Sequence, residues 1–196
     1  MDLSPVTLVG QHARLEPLSH THTTDLLQVA FDPAIWQFTT ARITTPADLT
    51  TYVETALTWQ REGHALPFAT IDRASGRAIG STRFAAIDVA NRRAEIGWTW
   101  LGTAYQRTAL NTEAKLLMLT HAFERLGCIR VELKTDVLNV RSRAAIRRLG
   151  ATEEGILRHH MIMPGGRLRD SVYFSLLADE WPAAKAALNE KLTRPR

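Results

Sequence analysis

"AEIGWTWLGTAYQRTALNTEAKLLMLTHAFERLGCIRVELKT", residues 94–135, holds a strand, a helix and a second strand in that order. In the second strand Ile129, Val131 and Leu133 alternate with Arg130, Glu132 and Lys134, the period of a half-buried strand. Between the strands, Leu116, Leu119, Phe123 and Leu126 share one face of a helix predicted over Asn111 to Leu126, with Gly127 as its stop. A strand that returns through a helix runs parallel to the first, so 94–135 predicts a parallel crossover.

Upstream, "LPFATIDR" (66–73) and "AIGSTRFAAIDV" (78–89) join the strand at 94 through "ASGR" and "ANRR", both hairpin-like turns, giving an antiparallel meander. Before the meander come a strand broken near Gly10, a helix from Ser19 to Phe31 capped by Ser19 or Thr21, and a helix from Pro46 to Arg61. Pro46 suits a first helical position, and Leu49, Val53, Ala56 and Leu57 form that helix's apolar stripe. Downstream, Asn139 to Leu149 is predicted as a short helix capped by Asn139 and closed by Gly150. Strands near 152–163 and 170–178 flank "PGGR", and a last helix starts near Asp179. The fold class expected is α/β (α+β): a mixed, mostly antiparallel central sheet with helices on both faces. Such a sheet takes ligands where its strand direction changes.

The 196 residues, 45% hydrophobic and 22% charged, suit one soluble globular domain over 1–196. No apolar run approaches the roughly 20 residues of a membrane span, and "MDLSPVTLVG" does not read as a secretory signal, so a cytoplasmic protein without a membrane partner is expected. Cys128 is alone and precedes a strand, which suits a small buried apolar role. The net charge of +4 is too small, and its acids too interspersed, to make nucleic acid an expected partner. One local excess, Arg141, Arg143, Arg147 and Arg148, asks for an explanation of its own. His12, His20, His22, His64 and His121 show no metal-ligand spacing, so no metal is expected.

The loop before the helix at 111 has the makings of an anion site. The first amides of a helix lack partners within it, and the helix dipole makes that end positive. Here those amides belong to about Arg107 to Thr112, with Arg107 adding a charge and Thr108 and Thr112 adding hydroxyls. Such loops favour glycine; Ala109 nearly preserves close approach, and where a left-handed conformation is needed Asn111 is among the better non-glycine residues. The alternative is an ordinary helix start capped by Asn111. Gly97, inside a strand, is a second clue: it suits a bulge or a close backbone approach. If the strand bends there away from its parallel neighbour, a V-shaped wedge opens whose unpaired backbone suits an extended, amide-bearing ligand.

"EIGWTWLG" (95–102), "YQRTALNTEAKLLMLTHAFERLGCIRVELKTDVLNVRSRAAIRRLGATEEGILR" (105–158) and "GRLRDSVYFSLLADEW" (166–181) together resemble the GCN5-related N-acetyltransferases, and more closely the branch acting on ribosomal-protein N-termini. The resemblance covers nearly the whole chain. It implies acetyl-CoA as cosubstrate, an amine acceptor and a homodimer. The family's cofactor loop reads Gln or Arg, two residues, Gly, one residue, Gly or Ala; here it is Gln106, Arg107, Thr108, Ala109, Leu110, Asn111, which departs at its last two motif positions. Pyrophosphate binding by this loop and Thr112 is implied, and one or two of the clustered arginines would neutralise cofactor phosphates.

Many relatives follow an Asn with a tyrosine seven residues later as proton donor; Asn139 matches, but the tyrosine position is Ile146. The ribosomal-protein branch resembles Asn139-Val140-Arg141-Ser142 instead, which implies the Ser142 hydroxyl near the cofactor sulfur and Asn139 on the pantetheine or ordering the turn. Ser142 as a plain first-turn residue is the alternative. The implied reaction passes acetyl directly to an unprotonated amine. An α-amine with a pKa of about 7.7–8.0 supplies that form at neutral pH far better than a lysine near 10.4. Candidate bases are Glu95, expected on the strand face opposite Trp98 and Trp100, and His159 or His160; a merely exposed Glu95 is the other reading. The closest branch's own glutamate position falls at about Met161, so that role is not carried over. Strand amides from Trp98 through Thr99 to Trp100 are placed to hold a thioester oxygen. Trp36 and Trp59 line the acceptor mouth by resemblance, or pack the core.

The leading expectation is transfer of acetyl from acetyl-CoA to a primary amine, a protein N-terminal α-amine first. A small amine such as an antibiotic or polyamine is the alternative acceptor, although the early helices carry only scattered Asp25, Asp32, Asp48 and Glu54. A non-catalytic module binding acyl-CoA or RNA is the alternative class.

Overall fold

The computed structural model describes residues 1–193. Its strands are β1 (Leu8–Val9), β2 (Ala13–Pro17), β3 (Ala65–Asp72), β4 (Arg77–Asp88), β5 (Arg93–Leu101), β6 (Arg130–Asp136), β7 (Thr152–Ile162) and β8 (Leu168–Leu177). They form one sheet in the order β1-β2-β3-β4-β5-β6-β8-β7, antiparallel at every junction except β5–β6. The parallel pair is the one that the crossover at 94–135 predicts.

Helices α1 (Thr23–Leu27), α2 (Pro33–Trp36) and α3 (Pro46–Arg61) lie on one face, and α4 (Ala109–Glu124), α5 (Val140–Arg147) and α6 (Trp181–Thr193) on the other. Two cores result. Phe68, Phe84, Ile96, Met118, Leu133 and Phe174 pack beneath α4, while Trp36, Leu49, Val53, Ile71 and Trp100 pack beneath α3. Mixed packing of helices on both sheet faces is the α/β architecture that the sequence implies.

The α3 boundary is written in its first residues. Thr45 accepts from the Asp48 N–H, Asp48 returns a bond to the Thr45 N–H, and Pro46 follows the cap. The helix expected over 19–31 is shorter: a 3₁₀ turn at His20–His22 leads into α1, which ends at Leu27. Pro33 disfavours helical geometry in the residue before it, and Asp32 instead caps the separate α2 by accepting from the Ala34 N–H at 2.9 Å. Ile129 lies outside β6 and is exposed, so only Val131 and Leu133 of the expected alternation reach the core. Cys128 is buried, and burial pushes its thiol up to about 11, which leaves it a small apolar residue at neutral pH.

Candidate active site

Strands β5 and β6 pair at only three positions, Arg93↔Arg130, Ala94↔Val131 and Glu95↔Glu132. Beyond Glu132, β6 stays paired with β8 as far as Asp136, while β5 turns away. The turn is a bulge: Gly97 faces Arg83 on β4, but Trp100 faces Ser81, and Trp98 sits at a φ of 49°. At Gly97 an added Cβ would stand 2.8 Å from Glu95 Oε1, so a side chain there would push the Glu95 carboxylate aside. The bulge also reverses the in–out alternation. Ile96 packs beneath α4, whereas Trp100 packs beneath α3. Glu95, Trp98 and Trp100 therefore share one face of the sheet, not opposite faces as strict alternation predicts, because one extra residue resets the period.

The phosphate-loop candidate follows directly. A 3₁₀ turn at Thr103–Tyr105 leads to Gln106, whose side chain donates to the Leu101 carbonyl at 3.0 Å. Arg107 takes a φ of 59°, and Thr108 caps α4 by accepting from the Leu110 N–H at 3.3 Å while donating to the Tyr105 carbonyl at 2.7 Å. The helix thus starts two residues before the predicted Asn111. Asn111 is neither the cap nor the left-handed residue; both tasks fall earlier, on Thr108 and Arg107. Asn111 and Thr112 lie within the first helical turn. A cavity of about 370 Å³ opens at this helix start, lined by Thr108, Ala109 and Leu110 with Gln11, His12 and Arg73. The first-turn amides other than that of Leu110 have no partner within the helix, and with the small Ala109 they suit this end to a phosphate, with Arg73 and His12 sharing the lining with the acidic Asp72.

On the α3 side of the wedge, Glu95 is buried, contrary to the exposed reading. Lys134 Nζ donates to Glu95 Oε2 at 2.6 Å and lies 5.7 Å from the Trp98 ring and 5.6 Å from the Tyr173 ring. The Tyr173 hydroxyl is 3.4 Å from His160 Nε2, and His160 Nδ1 is 3.0 Å from Ser171 Oγ. Burial, then the positive charges of Lys134 and Arg169, hold the His160 imidazolium below the usual histidine range, with Glu95 opposing. His159 is exposed and only its backbone is engaged, donating to Asp170 at 2.7 Å. Lys134 and Tyr173 were not singled out in the sequence. The usable signal was that Lys134 alternates with Val131 and Leu133 and so faces away from the α4 core.

Asn139 accepts from the Ser142 N–H at 3.0 Å, so its side-chain oxygen orders the turn into α5. Ser142 is half-buried in the first turn, and Ile146 packs into the core. Glu153 takes both Arg143 and Arg147, while Arg141 and Arg148 are exposed. Trp36 is core, 5.1 Å from Trp100, and Trp59 meets Trp98 edge-on at 5.3 Å. Among the described residues there is no cluster of three or more His, Cys, Asp or Glu that could hold a metal, and no helix long and apolar enough to cross a membrane.

On the α4 side, Lys115 Nζ donates to Thr82 Oγ1 at 3.0 Å and to Thr99 Oγ1 at 2.5 Å, and burial pulls its pKa down to about 7. The unfolded chain keeps this proton to about 10.5, so it binds more protons than the folded chain between the two values, and stability rises with pH across that window. A Lys115→Met substitution removes the cost and leaves Thr82 and Thr99 bonded to each other at 2.7 Å. It should raise unfolding stability at pH 7 by about 2 kcal/mol, a gain that fades towards pH 10. Urea titrations at the two pH values check this; a destabilised variant at pH 7 refutes it.

The model of the acetyltransferase (GNAT) domain matches residues 12–152, well over half of the chain. The chain belongs to the GNAT acetyltransferase family. A GCN5-related N-acetyltransferase from Brucella melitensis superposes with a TM-score of 0.90 at 33% identity, covering 97% of this chain and 86% of that one. Mycobacterium smegmatis RimJ, solved with CoA-disulfide, shares the fold with a TM-score of 0.82 at 21% identity, covering 96% of each chain. The Bacillus subtilis protein named "Putative ribosomal N-acetyltransferase YdaF" is 36% identical over 110 residues, a match that spans 56% of this GNAT chain and 59% of that relative's length.

Proposed function

We propose that this GNAT chain transfers an acetyl group from acetyl-CoA to a primary amine, the α-amine of a protein N-terminus before a small amine or a lysine. The observation that carries the reading is the wedge beyond Glu95↔Glu132, with an open helix start at Thr108–Ala109 at the end of the same strand. Acetyl-CoA supplies an activated thioester. The chain supplies everything else. Amides at the start of α4, those of Ala109 and Asn111 first, and the Gln106 turn hold the pyrophosphate, and the edge of β5 that lines the wedge, from Trp98 through Thr99 to Trp100, pairs with the pantetheine amides and polarises the thioester oxygen. Asn139 orders the α5 turn, and the Ser142 hydroxyl protonates the departing thiolate. Glu95, aimed by Lys134, takes the proton of the incoming amine. A ribosomal-protein-type acceptor is supported by the Asn139–Ser142 pattern and by the names of relatives.

The test is calorimetric titration with acetyl-CoA and CoA, followed by mass spectrometry of peptides carrying either a free α-amine or only a lysine amine. Micromolar cofactor binding and acetylation of the α-amine at pH 7 are expected. No cofactor binding, together with salt-sensitive RNA binding, would replace the enzyme with a binding module.

A further inference from the structure

Arg83 lies at the centre of β4, on the face that carries Glu95 and Trp98, and is 1% exposed. Its guanidinium carbon is 4.9 Å from the Tyr52 ring centroid, 5.4 Å from that of Trp59 and 5.4 Å from that of Trp98. Tyr52 and Trp59 are two turns apart on α3 and so share its face, while Trp98 is brought over the guanidinium by the bulge, at a strained φ of 49°. The cage is therefore assembled from a helix and a distorted strand.

Three rings satisfy a cation only from above and around. The in-plane N–H groups need acceptors, and Arg83 Nε and Nη2 have none. Neither neighbouring oxygen group meets those two atoms: Glu95 is engaged by Lys134 through Oε2, and the Tyr52 hydroxyl is turned to donate to the Trp98 carbonyl at 3.2 Å. Among the described residues no carboxylate pairs with Arg83. A guanidinium keeps its charge in proteins, so a charged, desolvated fork is held inside the ring cage without its counter-ion. Leaving such donors unmet is costly unless a ligand meets them. Tyr52, Trp59 and Trp98 are half-buried and form the outer wall of the cage, while the guanidinium behind them is closed off, so a ligand reaches it by parting the rings.

We infer that Arg83 reads a carboxylate on the amine acceptor. The planar fork matches a carboxylate through two parallel hydrogen bonds, the rings exclude water around it, and the neighbouring Glu95 meets the acceptor's amine. The acceptor is thus an amine with a carboxylate nearby, either a free amino acid or a peptide with an acidic residue next to its N-terminus. This deepens the acyltransferase reading and rests on it.

The experiment uses matched pairs: glutamate against glutamine, and hexapeptides beginning Ser-Glu against the same peptides beginning Ser-Gln. Binding is followed by tryptophan fluorescence without cofactor, and transfer is followed with acetyl-CoA. The carboxylate member should bind and react roughly tenfold better or more, as charge-assisted bidentate bonds give. An Arg83→Gln variant should bring the ratio to about one with CoA binding unchanged, and Arg83→Lys should keep part of it. Whichever arm carries the preference identifies amino acid or peptide. Equal treatment of both members by the unaltered protein overturns the inference while leaving the acyltransferase standing. A carboxylate preference in binding with no acetylation of any probe keeps the Arg83 site and fells the acyltransferase. Because the ratio is read in the unaltered protein, an unfolded variant does not decide the question.

Discussion

An Ala109→Glu substitution is expected to weaken acetyl-CoA binding about a hundredfold while leaving α4 intact. Ala109 is the first residue of α4, just after the Thr108 cap, and lines the cavity at the helix start. A carboxylate in a first helical turn favours the helix by about 0.3–1 kcal/mol. Set roughly 5 Å from a pyrophosphate, at an effective dielectric near 20, it repels that group by about 3 kcal/mol, or about two decades in affinity. The two effects have opposite signs, and that makes the variant informative. Calorimetry should show lost binding, and circular dichroism a helix content and melting temperature at least equal to the parent's. Parental affinity in the variant would place the pyrophosphate elsewhere and end the loop assignment.

The largest stability effect is expected from Glu113→Ala. Glu113 is a charged residue buried on α4, and its carboxylate accepts the N–H groups of Gln11 at 2.8 Å, His12 at 2.6 Å and Ala13 at 2.6 Å. It closes the β1–β2 turn onto the helix. Gly10 is the residue that permits this, since a Cβ there would come 2.4 Å from the Glu113 carboxyl carbon. Truncation leaves three amides without a partner, at a cost of about 3–5 kcal/mol, or roughly 10–15 °C in a domain of this size. Gln11 and His12 border the same cavity as Ala109, so the damage should extend to cofactor affinity. Glu113→Gln keeps an accepting oxygen and should lose much less. A thermal and urea comparison of the three proteins checks the order; equal stability of Ala and Gln variants would contradict it.

Much of the architecture was legible because the deciding signals are local. Thr45, Pro46 and Asp48 write the start of α3 within four residues, and Val131 with Leu133 sets the face of β6. The crossover between β5 and β6 then follows from chain order alone. What was not legible depends on backbone conformation or on distant register. Trp98 and Arg107 are poor residues for a positive φ, so nothing in their chemistry announces the bulge or the loop turn. Placing the loop's left-handed turn on Asn111 followed residue preference and missed the Thr108 cap. The Glu95–Lys134 pair spans 39 residues and exists only because two strands align at Glu132. The Arg83 cage needs α3, β4 and β5 all in place.

The sheet has a mechanical weak line. Three residue pairs join β5 to β6, against seven between β6 and β8. In elastic terms it is two stiff plates, β1–β5 and β6–β8–β7, hinged on a short seam and braced from below by the shared core under α4. An extended molecule lodged in the gap would act as a strut, adding backbone bonds where the plates are least held. Occupancy and rigidity are then one variable, and the temperature at which the molecule melts becomes a gauge of how full the gap is.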